Sequence, residues 1–202
     1  MIVLSPTLED LSAAQAAFSR FMPVDAEMFG TMSEFAQTVV VPKGTLWVEQ
    51  GRPSTHVAVI VEGSFRAVYS SDGDDTTYGF YYAPGFVTEY AGFVRQTEAR
   101  LSIEALEDSR IVQWSYPAIQ HLYSLGPKGE RLGRLIAEEV FVGFMDRTME
   151  LLLYAPEERY ARMVERGSSL LQRVPLYMIA DYLGITPESL SRIRARMLRK
   201  TS

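Results

Sequence analysis

The sequence contains no cysteine, and its 202 residues include only two histidines, His56 and His121. Without cysteine, a disulfide framework, a thiol nucleophile, a zinc finger and a cysteine-ligated iron–sulfur cluster are excluded. Two isolated histidines do not supply the clustered ligands of a metal enzyme built on β-strands, so no metal is expected. A P-loop, a dinucleotide-binding glycine pattern and a nucleophile elbow are also absent. We therefore expect a protein that is not an enzyme and that has no cofactor.

Long apolar runs are absent as well. No stretch approaches the roughly 18 uninterrupted apolar residues that a membrane span requires. The N-terminus lacks the basic segment and apolar run of an export signal. The composition, with 47% apolar and 22% charged residues, is ordinary for a chain that folds around a core. These features predict a cytoplasmic protein with no membrane partner.

Charge is distributed unevenly along the chain. Residues 1–155 contain 11 Lys and Arg against 20 Asp and Glu, whereas residues 156–202 contain 9 against 5. The balances are therefore −9 and +4, and their sum is the net charge of −5. A basic end on an acidic body is typical of a protein in which only that end meets a polyanion, although a solvated basic helix would give the same counts.

The first two thirds of the sequence predict a helix followed by a β-rich region. Residues 7–22 have helical character, with Thr7 and Asp10 placed almost as in a capping box, and Pro23 ends the helix. From residue 35 to 115, about eight short runs rich in Val, Ile, Tyr, Phe and Thr are separated by Gly, Pro and Asp. This pattern predicts a sandwich or a closed barrel, with a tight hairpin turn at residues 71–75.

After residue 116 the pattern becomes helical again, with a short helix over 117–124 and a long one over 130–154. The long helix has an apolar seam at coiled-coil spacing, formed by Leu135, Val142, Met145, Met149 and Leu152. Such a helix can pack on its own barrel. Its apolar surface is wider than one face, however, so we expect it to form a homodimer.

The C-terminal segment predicts three helices. The first spans 157–166 and ends at Gly167, and the others lie within 174–184 and 185–200. Gly184 supplies a tight turn, and Thr186 caps the last helix with Pro187 in its first turn. The apolar residues that should face the core are Leu176, Ile179, Ala180, Leu183, Leu190, Ile193 and Met197. A helix, a glycine turn and a second capped helix form the helix-turn-helix pattern.

Two parts of the sequence together resemble one protein family. The segment Pro42-Lys43-Gly44, with Gln50-Gly51 and Glu62-Gly63, is similar to the start of a cyclic-nucleotide-binding-type β-roll. Residues 174–197 resemble the helix-turn-helix of Crp/Fnr-type transcription regulators. The resemblance implies an α+β fold in three parts: a double-stranded β-helix (jelly-roll, cupin-like) sensor domain over 1–126, a dimerisation helix over 127–155 and a helix-turn-helix domain over 156–202.

The same resemblance implies a cytoplasmic homodimer that binds double-stranded DNA at an inverted repeat and regulates transcription. RNA polymerase is a further candidate partner, and a small-molecule effector would be of unknown identity. The alternative is a β-roll that binds a ligand or another protein, and whose terminal helices do not read DNA.

Family members that bind a cyclic nucleotide hold it with a Gly-Glu pair and an Arg-Ser pair. The corresponding segment here has Thr88-Glu89, followed by Tyr90, and then Ala99-Arg100. Glu89 is in the expected place, but the arginine is displaced by one position, which turns a strand side chain to the opposite face. Arg100 should instead pair with surface acids. We expect no specific binding of a cyclic nucleotide.

Aromatic residues are concentrated in and beside the predicted roll, at Tyr69, Tyr78, Phe80, Tyr81, Tyr82, Phe86, Tyr90 and Phe93. They fit an ordinary core and an apolar pocket for another ligand equally well.

The face of the last helix that lies opposite its core residues distinguishes the DNA-binding hypothesis from the protein-binding one. Opposite its core residues, a helical wheel places Glu188, Arg192, Ala195 and Arg199, whereas a protein-binding helix would present apolar or aromatic anchors there. Arginines and a carboxylate suit the major groove. The candidate DNA-binding residues are Thr186, Pro187, Glu188, Ser189, Arg192, Arg194, Arg196 and Arg199.

Overall fold

The computed structural model describes residues 1–165 and 174–201, and the chain divides into two compact units, Met1–Glu138 and Glu139–Ser202. The strands, all in the first unit, are β1 (Ile2–Leu4), β2 (Gln37–Val41), β3 (Leu46–Val48), β4 (His56–Glu62), β5 (Ser64–Ser71), β6 (Asp74–Tyr82), β7 (Gly85–Val87), β8 (Ser102–Ala105) and β9 (Ser109–Ser115). The helices are α1 (Leu8–Ser19), α2 (Ala26–Glu34), α3 (Tyr90–Arg95), α4 (Tyr116–Ser124), α5 (Pro127–Leu153), α6 (Pro156–Glu165), α7 (Leu176–Tyr182) and α8 (Pro187–Thr201).

The strands form an antiparallel β-sandwich. One sheet has the order β1-β2-β9-β4-β7 and the other the order β3-β8-β5-β6. Eight strands, β2 to β9, lie between residues 35 and 115, as the sequence predicts. The tight turn between β5 and β6 is also confirmed, because Asp72 and Gly73 have φ angles of 53° and 90°, as a two-residue hairpin turn requires.

Two cores lie on opposite faces of the five-stranded sheet. Because side chains alternate along a strand, Ile60 and Ile111 face the other sheet, whereas Val59, Val112 and Trp114 face the helices. The helix-side core contains apolar residues of α1, α2, α4 and α5. The indole N–H of Trp114 donates to the carbonyl of Met32 at 2.7 Å, which ties α2 to the sheet.

The N-terminal helix begins as predicted. Thr7 caps α1, and its capping box is complete, because Asp10 N–H donates to the Thr7 hydroxyl while the Asp10 carboxylate accepts from Thr7 N–H. Three elements of this unit have no counterpart in the sequence prediction: β1, α2 and α3.

In the second unit, α7 and α8 are joined by a tight turn. Gly184 has a φ of +67°, a left-handed conformation that suits glycine, and its N–H donates to the carbonyl of Asp181 at 2.8 Å. The predicted core residues Ile179, Ala180, Leu183, Leu190 and Ile193 are buried, and Met197 is half-buried. The prediction for Leu176 is wrong. Leu176 opens α7 and is 40% exposed, and Met178 takes its place in the core.

The structure therefore has an α+β fold with an antiparallel β-sandwich followed by helices. The jelly-roll topology and the boundaries at residues 126 and 155 remain predictions. The helix α6 ends at Glu165 in the described part, and the predicted stop at Gly167 lies outside the described residues.

Candidate functional site

The segment that corresponds to a nucleotide cassette contains the short helix α3. Glu89, which is 6% exposed, is its N-cap, and the Glu89 carboxylate accepts from Gly92 N–H at 2.7 Å. A Cβ at Gly92 would lie 2.4 Å from the Glu89 Oε2, so only glycine permits this contact. The Ser54 hydroxyl donates to the Glu89 carbonyl at 3.0 Å. Glu89 thus stabilises the local backbone, and its carboxylate already has a partner.

The other cassette positions do not bring a cation to this carboxylate. The Thr88 hydroxyl donates to the carbonyl of His56 at 3.0 Å. Ala99 is buried and exchanges backbone hydrogen bonds with Gly51 and Arg52, at 2.9 Å and 2.7 Å. Arg100 is exposed, and no ion pair to it is found among the described residues. The expected pairing of Arg100 with surface acids is therefore not seen.

The aromatic residues around the roll have different environments. Tyr69, Tyr78 and Tyr82 are exposed, and Phe80 and Tyr81 are half-buried. Phe86, Phe93 and Tyr90, which is also exposed, line an apolar cavity between the five-stranded sheet and the helices of the first unit. Burial raises the pKa of Tyr90. Most of the lining lies on the helix side of the sheet, and two lining residues, Ala58 and Val87, also belong to the core between the two sheets.

The second unit presents the predicted basic helix. Thr186 caps α8, since its hydroxyl accepts from Ser189 N–H at 3.2 Å. The side chains of Arg192, Arg194 and Arg199 are exposed, and within the described ranges none of them has an ion-pair partner within 4 Å. Three guanidinium groups therefore remain available on the surface of one capped helix.

Two further charged residues of α8 have partners in the same unit. Arg196 forms an ion pair with Glu157 of α6 at 3.3 Å. The pKa of Glu188 is lowered, first by a hydrogen bond from its own backbone N–H, then by the Thr186 hydroxyl, and also by the charge of Arg192. Arg192 is thus near enough for its charge to act on Glu188, although the two do not form an ion pair within 4 Å, whereas Arg196 is directed toward α6.

Sequence reasoning did not identify the arginines that organise this unit. Arg147 of α5 stacks over the ring of Tyr182 at 3.7 Å and also donates to its carbonyl. Arg159 of α6 is buried and donates to the carbonyls of Leu151 and Tyr154, at 3.2 Å and 3.1 Å. The Arg159 contacts satisfy carbonyls at the end of α5, and the Arg147 contact satisfies one at the end of α7. A single arginine in a helix gives no sequence signal for such a role.

The C-terminal half of α5 is strongly apolar and exposed. Four of the five predicted seam residues, Val142, Met145, Met149 and Leu152, are exposed, and Leu152 is 74% exposed. Leu135 is half-buried. The neighbouring exposed apolar residues are Val140, Phe141, Phe144, Leu151 and Leu153. An apolar surface of this extent is typical of an interface.

Comparisons with known proteins match this architecture. Residues 38–125 match the family described as the cyclic nucleotide-binding domain. FixK2 from Bradyrhizobium japonicum is 20% identical with a TM-score of 0.69, over 82% of this chain and 86% of its own. The chain has the fold of the Crp/Fnr-type regulators.

Two further structures support this assignment. The c-di-GMP-responsive global regulator CLP from Xanthomonas campestris is 18% identical with a TM-score of 0.68, over 88% of this chain and 93% of its own. A protein from Eubacterium rectale, described as a transcriptional regulator of the Crp/Fnr family, is 16% identical with a TM-score of 0.66, over 88% and 85% of the two chains. The predicted resemblance to Crp/Fnr-type regulators is confirmed. A search of curated protein sequences found no significant match.

The described residues contain neither a membrane-spanning helix nor a metal cluster. None of the helices there combines the length and hydropathy that are needed to cross a bilayer. In the same ranges, no three His, Asp or Glu side chains are grouped so that they could hold a metal ion.

Proposed function

We propose that this protein is a cytoplasmic, homodimeric transcription regulator of the Crp/Fnr type that binds DNA through α7 and α8, which form its helix-turn-helix. The observation that supports this proposal most directly is the exposed arginine face of α8. Such a face suits a polyanion, because a partner protein would require apolar or aromatic anchors at the same positions. RNA polymerase is a candidate second partner, from the family resemblance alone.

The first turn of α8 is suited to phosphate binding and to reading base edges. Thr186, Pro187 and Ser189 lie at the helix N-terminus. Pro187 has no N–H and the Ser189 N–H donates to the Thr186 hydroxyl, so we assign the phosphate contact to the hydroxyls of Thr186 and Ser189. Arg192 can donate two hydrogen bonds to guanine, and Glu188 can accept from cytosine N4 on the same helix face. We assign sequence reading to Glu188 and Arg192.

The remaining arginines have different roles in this proposal. Arg194 and Arg199 are exposed without ion-pair partners in the described part of the chain, so they are assigned to sequence-independent contacts with the DNA backbone. Arg196 is paired with Glu157, so we expect it to contribute less than its two neighbours, or to change partner when DNA binds.

The test is selection of duplexes from a random library, followed by affinity measurements with variants. Arg192→Ala should weaken binding to the selected site by about 1–3 kcal/mol and relax discrimination at one base pair. Arg199→Ala should weaken binding to all sequences alike, and it should reduce the dependence of log K on log salt by about one unit.

Arg95→Ala provides the matched control, because Arg95 is an exposed arginine in the first unit, at the end of α3. It removes the same charge and should leave DNA affinity and salt dependence unchanged. If selection enriches no motif, and wild type and Arg192→Ala bind all duplexes equally, α8 does not read DNA. The alternative of a protein partner would then replace this proposal.

A further inference from the structure

The first unit contains a cavity of about 80 Å³ on the helix side of the five-stranded sheet. Aromatic rings form much of its wall, and the lining residues include Phe18, Phe86, Phe93, Trp114, Tyr90 and Tyr123. Protein cores rarely leave a void much larger than one water molecule, since unfilled space forfeits dispersion contacts. The cavity is therefore a departure from ordinary core packing.

The residues that line the cavity determine which class of ligand can bind there. No charged side chain lines the cavity, and the side-chain polar atoms there belong to Thr88, Tyr90, Tyr123 and the indole of Trp114. The hydroxyl of Thr88 already donates to the carbonyl of His56, and the Trp114 N–H to that of Met32. For the hydroxyls of Tyr90 and Tyr123, no hydrogen bond is found to any residue that the structure describes. Burial is the main cause that raises the pKa of both phenols, so they stay neutral.

We propose that this cavity is a binding site for a small uncharged aromatic molecule with one hydroxyl or N–H group. The ring would lie among the aromatic side chains, and the polar group would meet the hydroxyl of Tyr123 or Tyr90. An apolar cavity of about 150 Å³ holds benzene. The volume here is about half of that, so only part of a ring can be buried unless the lining moves. Tyr90, which lines the cavity and is also exposed, places its mouth at the surface.

The long helix provides a second observation. Leu132, Gly133 and Ile136 of α5 line the cavity, and a Cβ at Gly133 would lie 2.3 Å from the Tyr123 hydroxyl oxygen. A glycine in a helix interior is destabilising by about 0.5–1 kcal/mol relative to alanine. Gly133 is therefore explained by the close approach of the Tyr123 ring, which keeps that ring at the cavity wall.

The experiment uses the full chain with labelled isoleucine methyl groups. Ile119 and Ile136 line the cavity, whereas Ile103 and Ile111 lie in the core between the two sheets and serve as internal controls. During a phenol titration followed by NMR, the first pair should shift saturably and the second pair should not. Benzoate, which has a similar shape but carries a charge, should bind at least about tenfold more weakly because nothing in the lining pairs with it.

Two variants and one control separate the apolar and polar parts of the site. Ile136→Phe enlarges a side chain in the cavity wall and fills part of the cavity, so it should weaken phenol binding at least about tenfold. Ile136→Leu conserves the side-chain volume and should leave binding nearly unchanged. Tyr123→Phe should weaken phenol but not toluene. If the Ile103 and Ile111 signals show that Ile136→Phe is unfolded, the phenol and toluene affinities of Tyr123→Phe decide whether the cavity is the binding site.

Three results would overturn the proposal. The first is the absence of saturable shifts at Ile119 and Ile136, and the second is equal shifts at all four isoleucines. The third is equal affinity for phenol and benzoate, which would show that the uncharged lining does not select the ligand. None of these measurements requires DNA. A result that overturns the cavity proposal therefore leaves the proposed DNA binding untouched.

Discussion

At the scale of single residues, Asp10 links the first helix to the sheet. It is 1% exposed, accepts from the Thr38 hydroxyl at 2.9 Å and forms an ion pair with Arg110 at 2.9 Å. Burial raises the pKa of Asp10, but hydrogen bonds from Thr7 and Thr38 and the charge of Arg110 together lower it below 3.8, its ordinary value. The unfolded chain therefore binds the Asp10 proton more readily than the folded chain does.

This shift predicts how stability depends on pH. The Asp10 contribution is fully present above its ordinary pKa and is lost as the pH falls through the lowered folded value. Asp10→Asn should lower the free energy of unfolding at pH 7 by about 1–3 kcal/mol, since buried partners lose a charged acceptor. Urea unfolding between pH 7 and 2 should show the difference between variant and wild type shrinking at acid pH.

Glu9→Gln is the control for Asp10→Asn, because Glu9 is an exposed ion-pair partner of the same Arg110. It should change stability by less than about 0.5 kcal/mol. A difference between Asp10→Asn and wild type that is independent of pH would contradict the lowered pKa.

The cassette residues predict that cyclic AMP does not bind. Ala99 is buried in the position where the family has its phosphate-binding arginine, and Arg100 is exposed beside it. A cyclic phosphate bound there would lose its hydration without gaining a bidentate guanidinium partner. Calorimetric titration of the full chain should give no saturable heat, and a site of micromolar or tighter affinity would show that this interpretation of residues 99–100 is wrong.

At the scale of elements, the sequence predicted the turns and helix ends that depend on the residue types at those positions. The β5–β6 turn was predictable because Asp72-Gly73 tolerates positive φ, and the start of α1 because Thr7 is a good cap. The helix α3 was missed because it has only six residues, and its cap depends on a tertiary environment that buries Glu89. Leu176 was misassigned because periodicity does not specify where a helix begins to contact its core.

The apolar cavity was not predictable in the same way. Its walls come from α1, α2, α3, α4, α5 and three strands, so its presence depends on packing between segments that are distant in sequence. Sequence composition left open whether the aromatic residues were core or pocket. The structure divides them, since Tyr69 and Tyr82 are exposed on one hairpin while Phe86 and Phe93 line the cavity.

The element-scale prediction concerns dimerisation through α5. Val142→Lys places a charge in the proposed seam and should convert a dimer into a monomer in sedimentation equilibrium at micromolar concentration, because burying an unpaired charge is costly. Val140→Lys is matched to it, with the same substitution on the same helix at another exposed valine outside the seam. It should leave the dimer intact. A monomeric wild type, or equal effects of the two substitutions, would contradict the seam.

At the scale of the whole molecule, the acidic and basic residues lie in different parts of the chain. The chain up to residue 155 has a balance of −9 and the remainder one of +4, so the electrostatic attraction that the proposed DNA binding requires would come from the C-terminal helices. A single copy presents one arginine face on α8, and specific recognition usually needs a longer site than one helix reads. Dimerisation through α5 would supply the second face, so the two proposals are coupled.

That coupling predicts the symmetry of the DNA site. A two-fold symmetric dimer should bind an inverted repeat with half-sites about one helical turn apart, with two chains per duplex. A direct repeat with the same half-sites and spacing presents one of them in the wrong orientation. Its binding should be at least about tenfold weaker in fluorescence anisotropy, because the mismatched half loses its base contacts.

The monomeric Val142→Lys variant should bind both duplexes with equal, low affinity, while Val140→Lys should keep the preference for the inverted repeat. If wild type binds inverted and direct repeats equally well, each chain reads DNA alone, and the dimer helix has a role other than DNA recognition.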